Sequence, residues 1–339
     1  MRKPRIGFLG VGHIGTDRLI RVRKSGLAEI AAAADQYRRG AGHIERLAPE
    51  AAIVDDLDEM LAAGVDGVVI CTPNTQHADQ SVQALEAGVA VFCQKPLAPT
   101  PAEVERVVET AKRVDGLLGV DFTYRGSAAA TRVRDCVRRG TLGDVYSVDL
   151  AFQNAGDLVG RTFLDPAKSG GGCVLDLGTH LVDLLLWSLG WPEVEEVRSC
   201  LWTKGRPTEP GELEEDCLAH LSLAGGVQAR LACSWFAHEG RPMTIEAAFR
   251  GPHAAAALYN FPDKPATLAA DVRHRSRRDP IARPPDEWEG RATLEWVRRV
   301  ARGKRFDRSV QRAVDVARVV SLIRKEPPTA EIRRPAVAA

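Results

Sequence analysis

Asp176, His180 and Asp183 stand at i, i+4 and i+7 in a passage that runs from Gly170-Gly171-Gly172 to Trp187. A helix through this passage places the three on one face, with Thr179 at its border. That helix is otherwise apolar around most of its circumference, so it is expected to be largely buried. Buried carboxylates and imidazoles are costly unless they are paired or functional. Three chemistries suit the stripe. The first is a purely structural Asp–His hydrogen bond. The second is metal ligation, but no further His or Cys cluster stands nearby and no metal is expected. The third is acid–base work, in which a neutral histidine takes a proton from a substrate hydroxyl. Asp176 then positions the substrate or holds the imidazole, and Asp183 orients the histidine from behind.

A second constellation is Gly10-Val11-Gly12-His13-Ile14-Gly15, a G-x-G-x-x-G that follows an apolar run and opens a helical one. Gly10 permits a tight turn, Gly12 lets backbone approach a pyrophosphate, and Gly15 lets helix and strand pack closely. The helix N-terminus offers free N–H groups to the phosphates. Asp35, 20 residues beyond Gly15, can accept hydrogen bonds from ribose hydroxyls. A carboxylate there repels a 2′-phosphate, which favours NAD. Arg38 and Arg39 lie just beyond and can pair with that phosphate, which leaves NADP open. Two further loops end apolar runs: Cys71-Thr72-Pro73-Asn74 and Gln94-Lys95-Pro96. Ligands of open α/β sheets bind outside the carboxyl ends of strands, so Lys95 is placed to face a nicotinamide. The alternative is a surface lysine at a strand exit.

The elements that position these residues follow from periodicity. Apolar runs at 5–9, 27–34, 51–54, 67–71, 89–93 and 117–120 alternate with helical patterns, as in βαβ units with a parallel sheet. Beyond Phe122 the pattern changes. Tyr146, Val148, Leu150 and Phe152 alternate with polar residues over 145–154, and 193–203, 216–223, 227–235, 243–250 and 254–259 also read as strands. Short turns between them favour a mainly antiparallel sheet. Helices over 128–139 and 174–189 can cover one face, leaving the other for a subunit interface. The basic, Pro-containing stretch 264–290 is expected to be a solvated loop, with a phosphate contact as the minority alternative. Helices over 291–302 and 309–325 follow, then a loose tail. The fold class expected is an α/β Rossmann domain plus a C-terminal α+β domain with an open, mainly antiparallel sheet.

Bulk properties agree. A chain of 339 residues suggests about two domains. With 46 Lys and Arg against 45 Asp and Glu, net charge is +1, so neither nucleic acid nor an anionic membrane surface is an expected partner. The seven cysteines are odd in number and form no C-x-x-C pair, which argues against a disulfide framework or a zinc ribbon. Met-Arg-Lys-Pro leads at once into an apolar run, so no signal peptide is expected. No stretch is expected to reach the ~18 apolar residues of a membrane span. A cytoplasmic location is the expectation.

Together these residues resemble the Gfo/Idh/MocA family of NAD(P)-dependent oxidoreductases. The resemblance rests on the glycine loop, Cys71-Thr72-Pro73-Asn74 with His77, Gln94-Lys95-Pro96-Leu97, and Gly170-Gly171-Gly172 running into Asp176-Leu177-Gly178-Thr179-His180. It implies a dehydrogenase acting on a secondary hydroxyl of a sugar, cyclitol or glycoside. Lys95 matches the lysine of the family's E-K-P motif, and Asp176 and His180 match its D-x-x-x-H pair. His180 is then the general base, Lys95 stabilises the oxygen and relays the proton, and Asp176 orients hydroxyl and histidine. Gly10, Gly12, His13, Ile14, Gly15, Asp35, Arg38, Thr72, Pro73, Asn74, His77, Gln94 and Lys95 are the implied cofactor contacts. Tyr124, Arg125, Gln153, Asn154, Trp235 and His238 are substrate candidates by position. Pro96 matches a place where the family often has a cis bond. Gln94 departs from the family's glutamate and removes a negative charge beside Lys95. The resemblance also implies a Rossmann domain over 1–122 closed by helices within 291–325, a substrate and oligomerisation domain over 123–290, and a homodimer or homotetramer through the second sheet. The competing expectations are an NAD-dependent glycosidase, a non-redox member, or a nucleotide-binding regulatory protein.

Overall fold

The computed structural model describes residues 2–35, 41–156, 159–160 and 162–325. Its first sheet is built from β1 (Arg5–Leu9), β2 (Glu29–Ala34), β3 (Ala52–Ile53), β4 (Gly67–Ile70), β5 (Ala90–Cys93) and β6 (Leu118–Val120). The order is β3-β2-β1-β4-β5-β6, and every pair is parallel. Strand order reverses between β1 and β4, which opens a crevice at their carboxyl ends. β4 is buried throughout, as suits a strand covered on both faces.

The crossover helices show their causes in sequence. Thr100 caps Pro101–Arg113, with Glu103 closing a reciprocal capping box and proline at the first turn. Gly26, at φ 63°, ends His13–Ser25. One face of the sheet carries a compact core of Ile6, Phe8, Leu19 and Val69 with Trp296 and Val297 from the distant helix Arg291–Ala301. The core on the other face is continuous with that of the remaining chain.

The second sheet holds β7 (Ser147–Asn154), β8 (Val194–Thr203), β9 (Arg206–Pro207), β10 (Asp216–Leu223), β11 (Val227–Ser234), β12 (Met243–Arg250), β13 (Ala255–Phe261), β14 (Lys264–His274) and β15 (Arg277–Ala282). Its order is β15-β14-β13-β12-β7-β11-β10-β8-β9, antiparallel except for the central parallel pair β7–β11. Helices Ala128–Arg138 and Thr179–Leu189 cover one face.

Three expectations need correction. The stretch from Lys264 is not a solvated loop but the hairpin β14–β15, turned at Arg275 with φ 52°. Its small buried residues, Ala269 and Ala270, pack without a strong alternation, and the flanking arginines pair locally, as in Arg278 with Asp271 and Arg277 with Asp279. Tyr146 lies outside β7 and is exposed rather than inward with Val148, Leu150 and Phe152. The helical turns from Pro166 to Leu189, taken together, are long and apolar enough to cross a membrane by length and composition, although no segment was expected to be. The apolar window is 89% buried inside the protein, as a core element is.

Candidate active site

Three glycines make the first wall. Gly10 leaves β1 at φ 89°, and a Cβ there would lie 2.6 Å from the Cys71 carbonyl. At Gly15 a Cβ would lie 2.0 Å from the Gly10 oxygen, so only glycine lets helix and strand come this close. At Gly12 a Cβ would meet nothing within 4 Å. That open side caps the N-terminus of His13–Ser25. Asp35, at the end of β2, accepts the Val11 N–H at 3.0 Å.

These residues line a groove of about 450 Å³, together with His13, Ile14, Thr72, Pro73 and Asn74. The opposite wall comes from Phe163, Lys168 and Ser169, which sequence reasoning did not single out. Their contribution is non-local: Asn74 Nδ2 donates to the Ser169 carbonyl at 3.0 Å, and Thr75 Oγ1 to that of Ala167 at 2.9 Å. An open glycine, a helix N-terminus and an acceptor carboxylate form a cradle that fits a pyrophosphate and its ribose. Arg38 lies outside the described residues.

Two expected cofactor contacts turn inward instead. His77 is buried, with one ring nitrogen 2.8 Å from the Pro96 carbonyl oxygen and the other 2.8 Å from that of Thr72. It ties the loops after β4 and β5 together and does not line the groove. Gln94 Nε2 donates to Asp121 Oδ2 at 2.5 Å rather than facing the groove.

A second cluster of polar side chains forms where Lys95 leaves β5, before a cis Lys95–Pro96 peptide. Lys95 Nζ donates to Asp176 Oδ1 at 2.6 Å and to the Asp176 carbonyl at 3.0 Å. Trp235, fully buried after β11, donates its indole N–H to Asp176 Oδ2 at 3.0 Å. Both carboxylate oxygens are thereby engaged. Asp176 belongs to a π-helical turn, Val174–Gly178, which runs into Thr179–Leu189. The Gly170–Gly172 approach is tight: a Cβ at Gly172 would lie 2.1 Å from the Glu214 carbonyl oxygen.

His180 follows one turn later. The Tyr124 ring stands perpendicular to it at 4.8 Å between centroids, and Phe152 lies at 5.9 Å. Among the described residues, none hydrogen-bonds its ring. Burial first, then the Lys95 ammonium and the Arg18 guanidinium, hold its pKa well below the usual histidine value. The imidazole is therefore neutral and able to accept a proton.

Asp183 does not orient this histidine, contrary to expectation. Its carboxylate is bidentate with Arg125, at 3.1 and 3.0 Å from Nε, and with Nη2 of the same guanidinium. Arg125 is in turn stacked over Phe122 at 4.6 Å and Trp191 at 5.3 Å. Arg125 is thus a clamp on the buried acid, with its side chain 26% exposed. Gln153 is also corrected, because adjacent strand residues face opposite sides. Phe152 and Asn154 share the buried side of β7 and Gln153 faces the other. Asn154 Oδ1 is buried without a hydrogen-bond partner. Tyr124 and Trp235 lie within the cluster, whereas His238 is exposed beyond β11. Among the described residues, no group of three or more His, Cys, Asp and Glu is arranged to hold a metal ion.

Comparison with known proteins agrees with this architecture. Residues 4–122 match the model described as an oxidoreductase family, NAD-binding Rossmann fold, and residues 130–255 match the Gfo/Idh/MocA C-terminal domain. The chain is 32% identical over 209 residues to a D-glucoside 3-dehydrogenase of Escherichia coli, covering 58% of this chain and 56% of that one. It is 28% identical over 194 residues to a myo-inositol 2-dehydrogenase of Thermotoga maritima, covering 57% of each. The chain thus spans little more than half the length of these curated relatives. A crystal structure of a 3-ketoreductase from Actinomadura kijaniata with NADP and TDP-benzene superposes with a TM-score of 0.81, at 21% identity, over 95% of this chain and 97% of that one. At that identity it shares the fold.

Proposed function

This chain belongs to the Gfo/Idh/MocA oxidoreductase family, and from that premise we propose that it is an NAD-dependent dehydrogenase of a secondary hydroxyl on a sugar, cyclitol or glycoside. The observation that carries the proposal is the Lys95–Asp176 pair beside a buried, neutral His180. Gly10, Gly12 and Gly15 with the N-terminus of His13–Ser25 would hold the pyrophosphate, Asp35 the adenosine ribose, and the Thr72–Asn74 loop the part nearer the reaction. When bound, the nicotinamide accepts or returns a hydride at the substrate carbon. His180 takes the hydroxyl proton as the carbonyl forms. The Lys95 ammonium stabilises the oxygen as negative charge grows there. Asp176 fixes Lys95 from one side and is itself fixed by Trp235. A carboxylate at 35 favours NAD over NADP by repulsion of a 2′-phosphate.

The test is a screen of sugars, inositols and glycosides with NAD and NADP, read at the absorbance of the reduced nicotinamide. With the best substrate, Lys95→Ala and His180→Ala are each expected to lower turnover by about 100-fold or more. Near wild-type turnover in either variant overturns the assignment. Glycoside cleavage without net reduced cofactor would instead select the glycosidase alternative.

A further inference from the structure

Arg18 and Asp121 form an ion pair in the interior, Nε to Oδ2 at 2.9 Å, with side chains 6% and 0% exposed. Arg18 lies on the helix that begins at the glycine loop, and Asp121 follows β6 directly. Gln94, at the end of β5, donates its amide to the same Asp121 oxygen at 2.5 Å. The other oxygen, Oδ1, is buried without a partner. Asp17 also contacts Arg18.

The donor–acceptor chemistry at this point is one-sided. An amide at 94 can give a hydrogen to a carboxylate, and an ionised carboxyl at 94 cannot. Asp17 and Asp121 already occupy the Arg18 guanidinium, so an ionised carboxyl at 94 would be a third acid set directly against Asp121 Oδ2, and one of the two touching carboxyls must hold a proton or move away. A carboxyl that moves away carries with it the backbone of the next residue, which is Lys95, and one that stays must hold a proton to replace the amide's hydrogen. Gln94 is anchored inward to Asp121, while Lys95 reaches Asp176. We propose that Asp121, with Arg18 and Gln94, is a positioning unit that supplies the buried carboxylate of this region and sets the direction from which Lys95 enters the site. The inference rests on the proposed role of Lys95 but not on which polyol is the substrate.

The experiment compares Gln94→Glu, Asp121→Asn and the double variant by thermal melting, NADH titration and steady-state kinetics. Gln94→Glu is expected to lower the melting temperature and to cut kcat by about tenfold or more, with KM changed far less, as misplacement of a reacting group does. Asp121→Asn breaks a buried pair and is expected to melt lower still. In the double variant carboxylate and amide exchange places, and it is expected to be more stable and faster than either single variant. A Gln94→Glu protein with wild-type melting and turnover overturns the proposal. So does a double variant no more stable than the better of its two parents. If Lys95→Ala keeps wild-type turnover, the catalytic assignment fails instead, and the melting coupling between 94 and 121 is still read independently of activity.

Discussion

Burial and two nearby cations act on His180 in the same direction, since all three disfavour the imidazolium. The neutral ring is the form that takes a proton, so activity is lost when the ring is protonated. With a folded pKa depressed below about 6.5, kcat/KM is expected to stay level across neutral pH and to fall only on the acid side of the ordinary histidine range. An acid limb at or above about 6.5 in the pH–rate profile would contradict this assignment. Stability follows the same sign. His77 is also buried with a lowered pKa, so the unfolded chain takes up these protons first. The contribution is fully present above the unfolded pKa and fades as pH falls toward the folded one, so melting temperature is expected to drop as pH falls below about 6.5. At this scale the sequence was legible where spacing was local: Asp176 and His180 do lie together, with Lys95. It was not legible where partners came from afar. Arg125, 58 residues from Asp183, takes the carboxylate that seemed free to orient a histidine. Asp121, 27 residues from Gln94, takes the amide that seemed free for the cofactor.

The glycine loop separates two reasons for a glycine within one element. Gly15 is demanded by contact, because its missing Cβ is where the Gly10 carbonyl lies. Gly12 is demanded by nothing in the protein itself. Gly15→Ala is therefore expected to lower stability by about 1–3 kcal/mol, the range for overpacking. Gly12→Ala is expected to melt close to wild type yet bind NADH more weakly, because its methyl occupies the phosphate approach. Thermal melts paired with NADH titration decide the matter; equal melting losses in both variants would make Gly12 structural. The element boundaries of the first sheet were readable because each buried parallel strand is a short apolar run closed by a turn residue. The hairpin β14–β15 was not, because prolines and arginines surround its alanine-rich core and its pairing partner β13 is recognisable only in three dimensions.

At the scale of the molecule, the chain returns late to finish what it began. Trp296 packs where β4 and β6 carry glycine: a Cβ at Gly67 would lie 2.7 Å from its ring, and one at Gly119 3.1 Å. Its ring also meets Phe92 of β5 at 5.6 Å. Three strands of the first sheet are thus shaped around one side chain from beyond the second sheet. The final helix Arg312–Lys325 adds a second tie, with Arg324 beside Glu214 at 3.3 Å under the glycines that lead to Asp176. A fragment ending at 122 lacks Trp296 and leaves this surface open to water. It is expected to lack a cooperative melt even with saturating NADH. In the full chain, Trp296→Ala removes a buried aromatic side chain and is expected to cost about 3–5 kcal/mol. Its effect should appear in a single unfolding transition shared by both sheets, because the core on the second face of the first sheet runs on into the rest of the chain. Calorimetry on the full chain, with far-ultraviolet circular dichroism on the fragment, tests both halves of the argument. Two resolved transitions, or a fragment that melts as sharply as the parent, would show that the first sheet closes without its C-terminal helix.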